Sequence, residues 1–512
     1  MITYELSSNK IELEDFMKIV KNEKVQISVS DDVKNNVMAS RELLEKFVEE
    51  QRIIYGVNTS MGGFVNFLVP IEKAEELQNN LLASVASNVG EYFDDTTVRA
   101  TMITRLISLS KGASAISIEN FNILLEMINK NVLPRIPQKG SLGASGDLGP
   151  LAFIALVATG KWKAKYNGEV MSGNDAMRAA GISLMTLSFK EGLALINGTS
   201  AMTGLGITIW HDATKLLNRY EYVSALSFEA LGTKLKPFDP KVHYRKLHQG
   251  QRKCAENIYE ILNESKLIVH EENVESEIQK SNDNTVMELD KQIEDAYSLR
   301  CTPQILGPIY DTLDFIKEIL TNELNSSSDN PLIIPEEEEV FHNGHFHGQY
   351  ISMAMDYLSI CLTTISNLSD RRIDRFMDKS SSNGLPAFLC KENPGLRLGL
   401  MGGQFMSTSI TAENRSLCTP LSIQTITSTG DFQDIVSFGL IAGRRSKEIL
   451  QNARYIIAFE LLCACQAIDI RGNAGISSKT KPMYDSVRNI IPYLSKDVSI
   501  TPYIEELTQL LK

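Results

Sequence analysis

Leu450-Gln451-Asn452-Ala453-Arg454-Tyr455-Ile456-Ile457-Ala458-Phe459-Glu460-Leu461-Leu462-Cys463-Ala464-Cys465-Gln466-Ala467-Ile468 holds no proline and no glycine. Leu450, Ile457, Leu461, Ala464 and Ile468 recur at helical spacing. The residues between them are also mostly apolar, so the segment reads as a long helix that is apolar on much of its circumference. Such a helix belongs in the middle of a bundle, where most of its faces meet other helices. The same spacing appears elsewhere in the chain. Ala74, Leu77, Leu81 and Val85 form one stripe, widened by Leu82 and Val89. Ile309, Leu313, Ile316 and Leu320 form a second, and Leu358, Cys361, Ile365 and Leu368 a third. Strand signals are few. Leu332-Ile333-Ile334-Pro335, an acidic turn Glu336 to Glu339, and Val340-Phe341-His342 read as a hairpin with a solvated tip. The stretch from His270 to Asp290 is charged and poor in apolar residues, and reads as a surface loop or an exposed helix end. No short repeat of solenoid type is present. The expected fold is mainly α: a long central helical bundle with a smaller, glycine-rich mixed N-terminal part. The expected division is 1–196 and 197–512, with its boundary at Asn197.

Composition agrees with a globular chain. Of 512 residues, 43% are hydrophobic and 22% charged, which excludes wholesale disorder and a small disulfide scaffold. Lys plus Arg is 51 and Asp plus Glu is 63, a formal charge of −12 that argues against a nucleic-acid surface. The seven cysteines are scattered, with Cys463 and Cys465 the only near neighbours, inside an apolar helical run. That pattern fits buried free thiols and a reducing cytoplasm better than zinc or disulfides. Met1 to Phe16 shows no signal-peptide pattern. The longest apolar stretch, Leu148 to Thr159, is too short and glycine-broken to span a bilayer.

The densest chemistry lies in Lys139-Gly140-Ser141-Leu142-Gly143-Ala144-Ser145-Gly146-Asp147-Leu148-Gly149-Pro150. Four glycines at three-residue spacing force unusual dihedrals or very close packing. A phosphate-cradling loop would end in Gly-Lys-Ser or Gly-Lys-Thr, which is missing. A nucleophile elbow would follow the serine with x-Gly, whereas Ser145 is followed by Gly146-Asp147. A third reading is a plain turn before a helix, with Asp147 capping and Pro150 in the first turn. A fourth is covalent. In a tight turn, the amide nitrogen of Gly146 can reach the carbonyl carbon of Ala144, and small side chains permit that compression. Cyclisation with loss of two waters, one of them from Ser145, gives a 4-methylideneimidazol-5-one ring (MIO) with an electrophilic methylidene.

Three motifs together carry a resemblance. Ala144-Ser145-Gly146-Asp147, Tyr55-Gly56-Val57-Asn58-Thr59 and Tyr297-Ser298-Leu299-Arg300-Cys301-Thr302-Pro303-Gln304 resemble those of the MIO-dependent aromatic amino-acid ammonia-lyases and aminomutases. The likeness covers nearly the whole chain and is nearest to bacterial phenylalanine ammonia-lyases and phenylalanine 2,3-aminomutases. Some of those relatives carry Thr where this chain has Ala144. The resemblance implies a histidine ammonia-lyase-like fold of fumarase/aspartase type, a homotetramer with active sites shared between subunits, and no metal. It further implies that the first part of the chain carries both a lid tyrosine and the ring-forming loop. Tyr55, on a glycine-flanked loop that includes Gly62, inherits the role of the base that removes a β-proton. Free tyrosine titrates near ~10, so such a base needs its value lowered. Asn197 inherits a place beside the ring. Arg300 inherits the substrate carboxylate, with Tyr297 three residues earlier on the same helix face. Asn330 belongs to an Asp-Asn-Pro element near the site, and Phe346 packs near ring and substrate.

The resemblance also bears on the substrate. Tyrosine-specific relatives place a histidine where Ser84 stands, and histidine-specific relatives place one where Val85 stands. Gln433 stands where histidine-specific relatives have glutamate, and Phe432 adds an apolar wall. The reaction implied is deamination of L-phenylalanine to trans-cinnamate, 2,3-amino migration to β-phenylalanine, or both. Ser84 keeps tyrosine open as a substrate. Two readings from other classes stand beside this one. One is a helical scaffold whose loop never cyclises. The other is a metal-dependent hydrolase built on His342, His345 and His347, although that cluster contains no carboxylate or cysteine and a hairpin would alternate their faces.

Overall fold

A computed structural model describes residues 2–270, 286 and 293–512. The charged stretch His270 to Asp290 lies outside these residues apart from His270 and Val286. The architecture is mainly α, as the apolar periodicities predict. The four longest helices are Ser200–Leu231, Thr302–Leu324, Gln349–Met377 and Gly439–Arg471, of 32, 23, 29 and 33 residues. The helix Gly439–Arg471 contains the opening stretch, and from Ile456 to Ile468 every apolar side chain is wholly buried. The stripes Ile309 to Leu320 and Leu358 to Leu368 are buried as their spacing requires. All seven cysteines are free thiols, five of them buried. Among the described residues, no helix is long and apolar enough to cross a membrane.

The chain forms two compact units, each drawn from three stretches. The first comprises Met1–His211, Ile316–Asp356 and Pro420–Arg445. The second comprises Asp212–Phe315, Tyr357–Thr419 and Ser446–Lys512. Among the described residues the sheets are small and all lie in the first unit. Ile2–Leu6 pairs in parallel with Val25–Val29. Leu133–Pro134, Lys163–Tyr166 and Glu169–Ser172 form a three-stranded antiparallel sheet. The predicted hairpin is present, with Leu332 opposite Phe341 and Ile334 opposite Glu339. Its tip is shorter than the acidic run suggests, because Glu339 joins the second strand and pairs with Arg52.

One helix departs from its sequence reading in a telling way. Ala74–Val85 is helical, but its buried side chains are Ala74, Gln78 and Leu82. Leu81 and Val85 from the apolar stripe are only partly covered, and they line a cavity. Val89 lies beyond the helix in the strand Val89–Tyr92 and is 64% exposed. The stripe therefore marks the wall of a site rather than a core face.

The second unit is held by a buried charge cluster. The guanidinium of Arg372 donates to the Ser298 carbonyl (2.8 Å), Ser224 Oγ (2.6 Å), Thr302 Oγ1 (2.7 Å), Tyr220 Oη (3.2 Å) and Glu460 Oε1 (3.2 Å). Neither side chain of the Arg372–Glu460 pair is exposed at all. Removing one partner strands a charge in the interior, which costs about 3–5 kcal/mol. Arg372→Met should therefore lower the urea midpoint substantially, and Arg372→Met/Glu460→Met should recover most of it. A single variant with the parental midpoint would contradict this account of the cluster.

Candidate active site

The Tyr55 loop is folded by its own side chains. Asn58 Oδ1 accepts the Ile54 amide at 2.8 Å, and Asn58 Nδ2 donates to the Arg52 carbonyl at 2.7 Å. Thr59 Oγ1 accepts the Gly56 amide at 3.1 Å. Ile54 and Val57, on either side of Tyr55, anchor the loop in a core cluster with Leu43, Leu44, Phe47, Ala115 and Ile333. Gly56 has φ +70°, and a Cβ there would meet Leu193 Cδ2 at 2.5 Å. With its neighbours fixed inward, half-buried Tyr55 turns its hydroxyl back to accept the Gly62 amide at 3.1 Å. Burial pushes the Tyr55 phenol up, and the Gly62 amide pulls the other way without overcoming it. The lowered value that a neutral-pH base needs is thus not supplied by the single chain.

The glycine-rich loop is drawn into a turn of unusual tightness. Ser145 has φ +53°, between Gly143 at +72° and Gly146 at +74°. Gly143 and Gly146 bridge each other, and Gly146 also bridges Gly198. The Gly198 amide donates to the Ser145 carbonyl at 3.3 Å, and the Asp147 amide donates to the Gly198 carbonyl at 2.8 Å. A Cβ on Gly146 would stand 2.1 Å from the Gly198 carbonyl oxygen. Backbone on both sides leaves no room for relief, so glycine is obligatory there. Ala144, Ser145 and Gly146 thus have the small size that ring formation asks for, with Ser145 and Gly146 held in left-handed backbone.

Asp147 stands before the helix Leu148–Ala158, with Pro150 in its first turn, but its side chain makes no capping bond to that helix. The carboxylate instead accepts the Met202 amide at 2.7 Å, in the first turn of Ser200–Leu231, and the Ser141 hydroxyl at 3.3 Å. Asp147 is wholly buried. Burial pushes its carboxyl up to about 7, against the lowering effect of these hydrogen bonds.

These elements surround a cavity of about 730 Å³ within the first unit. Tyr55, Gly62, Ser84, Val85, Ser145, Asn197, Asn330, Phe346, Phe432 and Gln433 all line it. Gln433 Nε2 donates to Ser145 Oγ at 3.3 Å, and Gln433 Oε1 accepts from Thr429 Oγ1 at 2.8 Å. Asn197 Nδ2 donates to Asp329 Oδ1 at 3.1 Å and to the Asn330 carbonyl at 2.9 Å. No Asp, Glu, Lys or Arg is among the lining residues, and His342 is the one titratable group besides Tyr55.

Tyr297 and Arg300 are not brought to this cavity. They occupy a one-turn helix, Tyr297–Arg300, in the second unit. Tyr297 is 70% exposed, with the Arg300 guanidinium 5.1 Å from its ring centre, and Arg300 pairs with Glu294 at 2.6 Å. The histidines separate by task. His342 Nε2 accepts the Tyr55 amide at 3.2 Å, while His345 Nδ1 lies 2.8 Å from Asn343 Oδ1. Among the described residues, no group of three His, Cys, Asp or Glu side chains is placed to hold a metal ion.

Sequence reasoning missed His342 as a wall of the cavity, along with Met61, Phe64, Leu148, Leu193, Asn343 and Thr429. Leu193 had a signal, since it precedes Asn197 by one helical turn and its carbonyl accepts the Asn197 amide at 2.9 Å. His342 and Thr429 had none, because long-range folding alone delivers them.

The sequence model of the aromatic amino acid lyases matches residues 11–489, and the chain belongs to that family. Among solved structures, it is similar to Pantoea agglomerans phenylalanine aminomutase, at 59% identity and a TM-score of 0.97, covering 100% of this chain and 99% of that one. It is also similar to a tyrosine aminomutase from Streptomyces globisporus, at 36% identity and a TM-score of 0.95, covering 100% and 97%. A histidine ammonia-lyase of Natranaerobius thermophilus is 39% identical, over 99% of this chain and 96% of its own.

The Asp147 carboxyl gives a pH prediction. A carboxyl raised in the fold contributes stability that is complete below its free value of 3.8 and is lost as pH rises through about 7. Thermal stability should therefore fall across that window by an amount on the order of a few kcal/mol. Asp147→Asn keeps the acceptor for Met202 and should flatten the decline. A variant with the same slope as the parent would assign the pH dependence elsewhere.

Proposed function

We propose that this chain is a phenylalanine-active member of the family, deaminating L-phenylalanine to trans-cinnamate, migrating its amine to give β-phenylalanine, or both. The observation that carries this reading is the chemistry of the cavity wall. Phe64, Leu81, Val85, Leu193, Phe346 and Phe432 offer apolar surface sized for an aryl ring, and the polar groups beside Ser145 are neutral. An imidazole that ionises near neutral pH finds no carboxylate in that wall. The similarity to histidine ammonia-lyases at 39% is thus weighed against a pocket that does not suit histidine. Tyrosine is the second reading, because the exposed Ser84 hydroxyl lies in the wall.

Ala144, Ser145 and Gly146 suit the ring by size and backbone. The ring would supply an electron-poor alkene to the substrate amine. Gln433 and Asn197 hold the wall beside Ser145. Tyr55 takes the β-proton at its phenol oxygen, where the Gly62 amide already aims a hydrogen bond. The phenolate needs more positive potential than that amide gives, and we assign the source to a homotetrameric assembly. In that assembly Arg300 of another subunit meets the substrate carboxylate, exchanging Glu294 for it. The working location is the cytoplasm, with no metal required.

Incubation with L-phenylalanine, followed by separation of cinnamate from β-phenylalanine, is the direct test, with L-tyrosine and L-histidine in parallel. Phenylalanine should be consumed fastest, and faster consumption of histidine would overturn the substrate assignment. Tyr55→Phe should abolish turnover while leaving the fold intact, and normal turnover in that variant would remove Tyr55 as base. Gln433→Glu places a charge beside Ser145 and should lower kcat/KM for phenylalanine by about tenfold or more, equivalent to about 1.4 kcal/mol. An unchanged value would mean that the amide does not face the substrate.

A further inference from the structure

Behind the cavity wall lies a buried ion pair that the chemistry above does not use. Lys190 Nζ stands 2.6 Å from Asp329 Oδ2, and neither side chain has any exposed surface. Lys190 itself sits at φ +70°, immediately before the helix Glu191–Ile196 that leads into Asn197. The second oxygen, Asp329 Oδ1, accepts the Asn330 amide at 2.7 Å and Asn197 Nδ2 at 3.1 Å. Asn330 Oδ1 in turn accepts the Asn343 amide at 2.7 Å. Asn197, Asn330 and Asn343 all line the cavity; the carboxylate holds the Asn197 side chain and the Asn330 backbone directly, and Asn343 only through the Asn330 side chain.

Asp329 also faces the buried Arg105 guanidinium as its counter-charge, so part of its role is stability, but stability alone does not call for the Lys190 ammonium beside it. Burying two charges is expensive, and apolar side chains of similar size often hold a core as well or better. Apolar residues could not fix the orientation of an amide. With Nδ2 of Asn197 committed to two acceptors, its carbonyl is the side-chain group left over, and Asn197 Oδ1 is buried without a partner. We infer that Lys190 and Asp329 are positioning residues that lock the Asn197 side-chain amide in one orientation, its donor turned to Asp329 and the Asn330 carbonyl and its oxygen turned the other way, so that the residue holds its place in the wall beside Ser145. This inference rests on the ammonia-lyase or aminomutase reading above, but not on which amino acid is the substrate.

Three variants test it, assayed with whichever of L-phenylalanine, L-tyrosine and L-histidine the parent consumes. Lys190→Met/Asp329→Leu replaces both charges by apolar side chains; it strands the Arg105 guanidinium and should lower thermal stability, but the folded protein should retain the mass deficit of two waters. Its kcat should fall by about 100-fold, the scale of a misplacement near 1 Å, with KM little changed. Adding Asn197→Ala to that double variant should cost nothing further, because the amide is already unlocked. Asp329→Asn serves if the double variant fails to fold. An amide has one acceptor oxygen where the carboxylate has two, so it cannot satisfy both Lys190 and Asn197, and kcat should fall there too. A folded, ring-containing double variant with parental kcat, an additive effect of Asn197→Ala, or parental kcat in Asp329→Asn would each overturn the inference while leaving the function reading intact. A parent inactive on all three substrates would overturn the function reading and this inference with it.

Discussion

The site depends on the approach of two backbone segments with no side chain between them. The turn at Gly143 to Asp147 is laced to Gly198 by two amide–carbonyl bonds, and a Cβ on Gly146 would collide with the Gly198 carbonyl. Because Gly198 follows Asn197 and precedes the helix Ser200–Leu231, this contact fixes the cavity amide and the helix start together. Asp147 completes the arrangement by accepting an amide of that helix's first turn from outside the helix. The turn is thereby clamped with Ser145 and Gly146 in left-handed backbone. An unconstrained peptide would not hold that conformation.

Charge is arranged in a second layer rather than at the cavity surface. Ionisable pairs such as Lys190–Asp329 lie behind neutral amides, which carry their orienting effect to the wall. A wall without carboxylate or cation suits an aryl ring, and it leaves a substrate carboxylate without a partner inside the chain. That shortfall and the place of Arg300 outside the lining are what the proposed homotetramer, with a site completed by a neighbouring subunit, would answer. The phenol of Tyr55, raised by burial, is the group that the proposed assembly would have to lower.

Helical periodicity made the bundle legible, because the long segments bury whole faces and burial follows spacing. The hairpin was equally legible from its alternation and acidic tip. The stripe through Leu81 and Val85 was misread in part, since an apolar face against a ligand cavity has the same pattern as one against a core. Ten of the cavity residues are named by the family resemblance, but their company is not. Lys190 and Asp329 are 139 positions apart, and no local pattern announces that they meet. The alternative in which Asp147 caps the helix that follows it is not what forms, because capping rules are local and here the carboxylate reaches across the fold to the Met202 amide.

The account stands on a covalent change at three residues. Fragment mass spectrometry of the peptide spanning Ala144 to Gly146, from protein purified in active form, measures it directly. The account predicts a fragment lighter by two waters, and the unmodified mass in a Ser145→Ala control that is also inactive. An active protein whose fragment carries the full mass of Ala-Ser-Gly would contradict it.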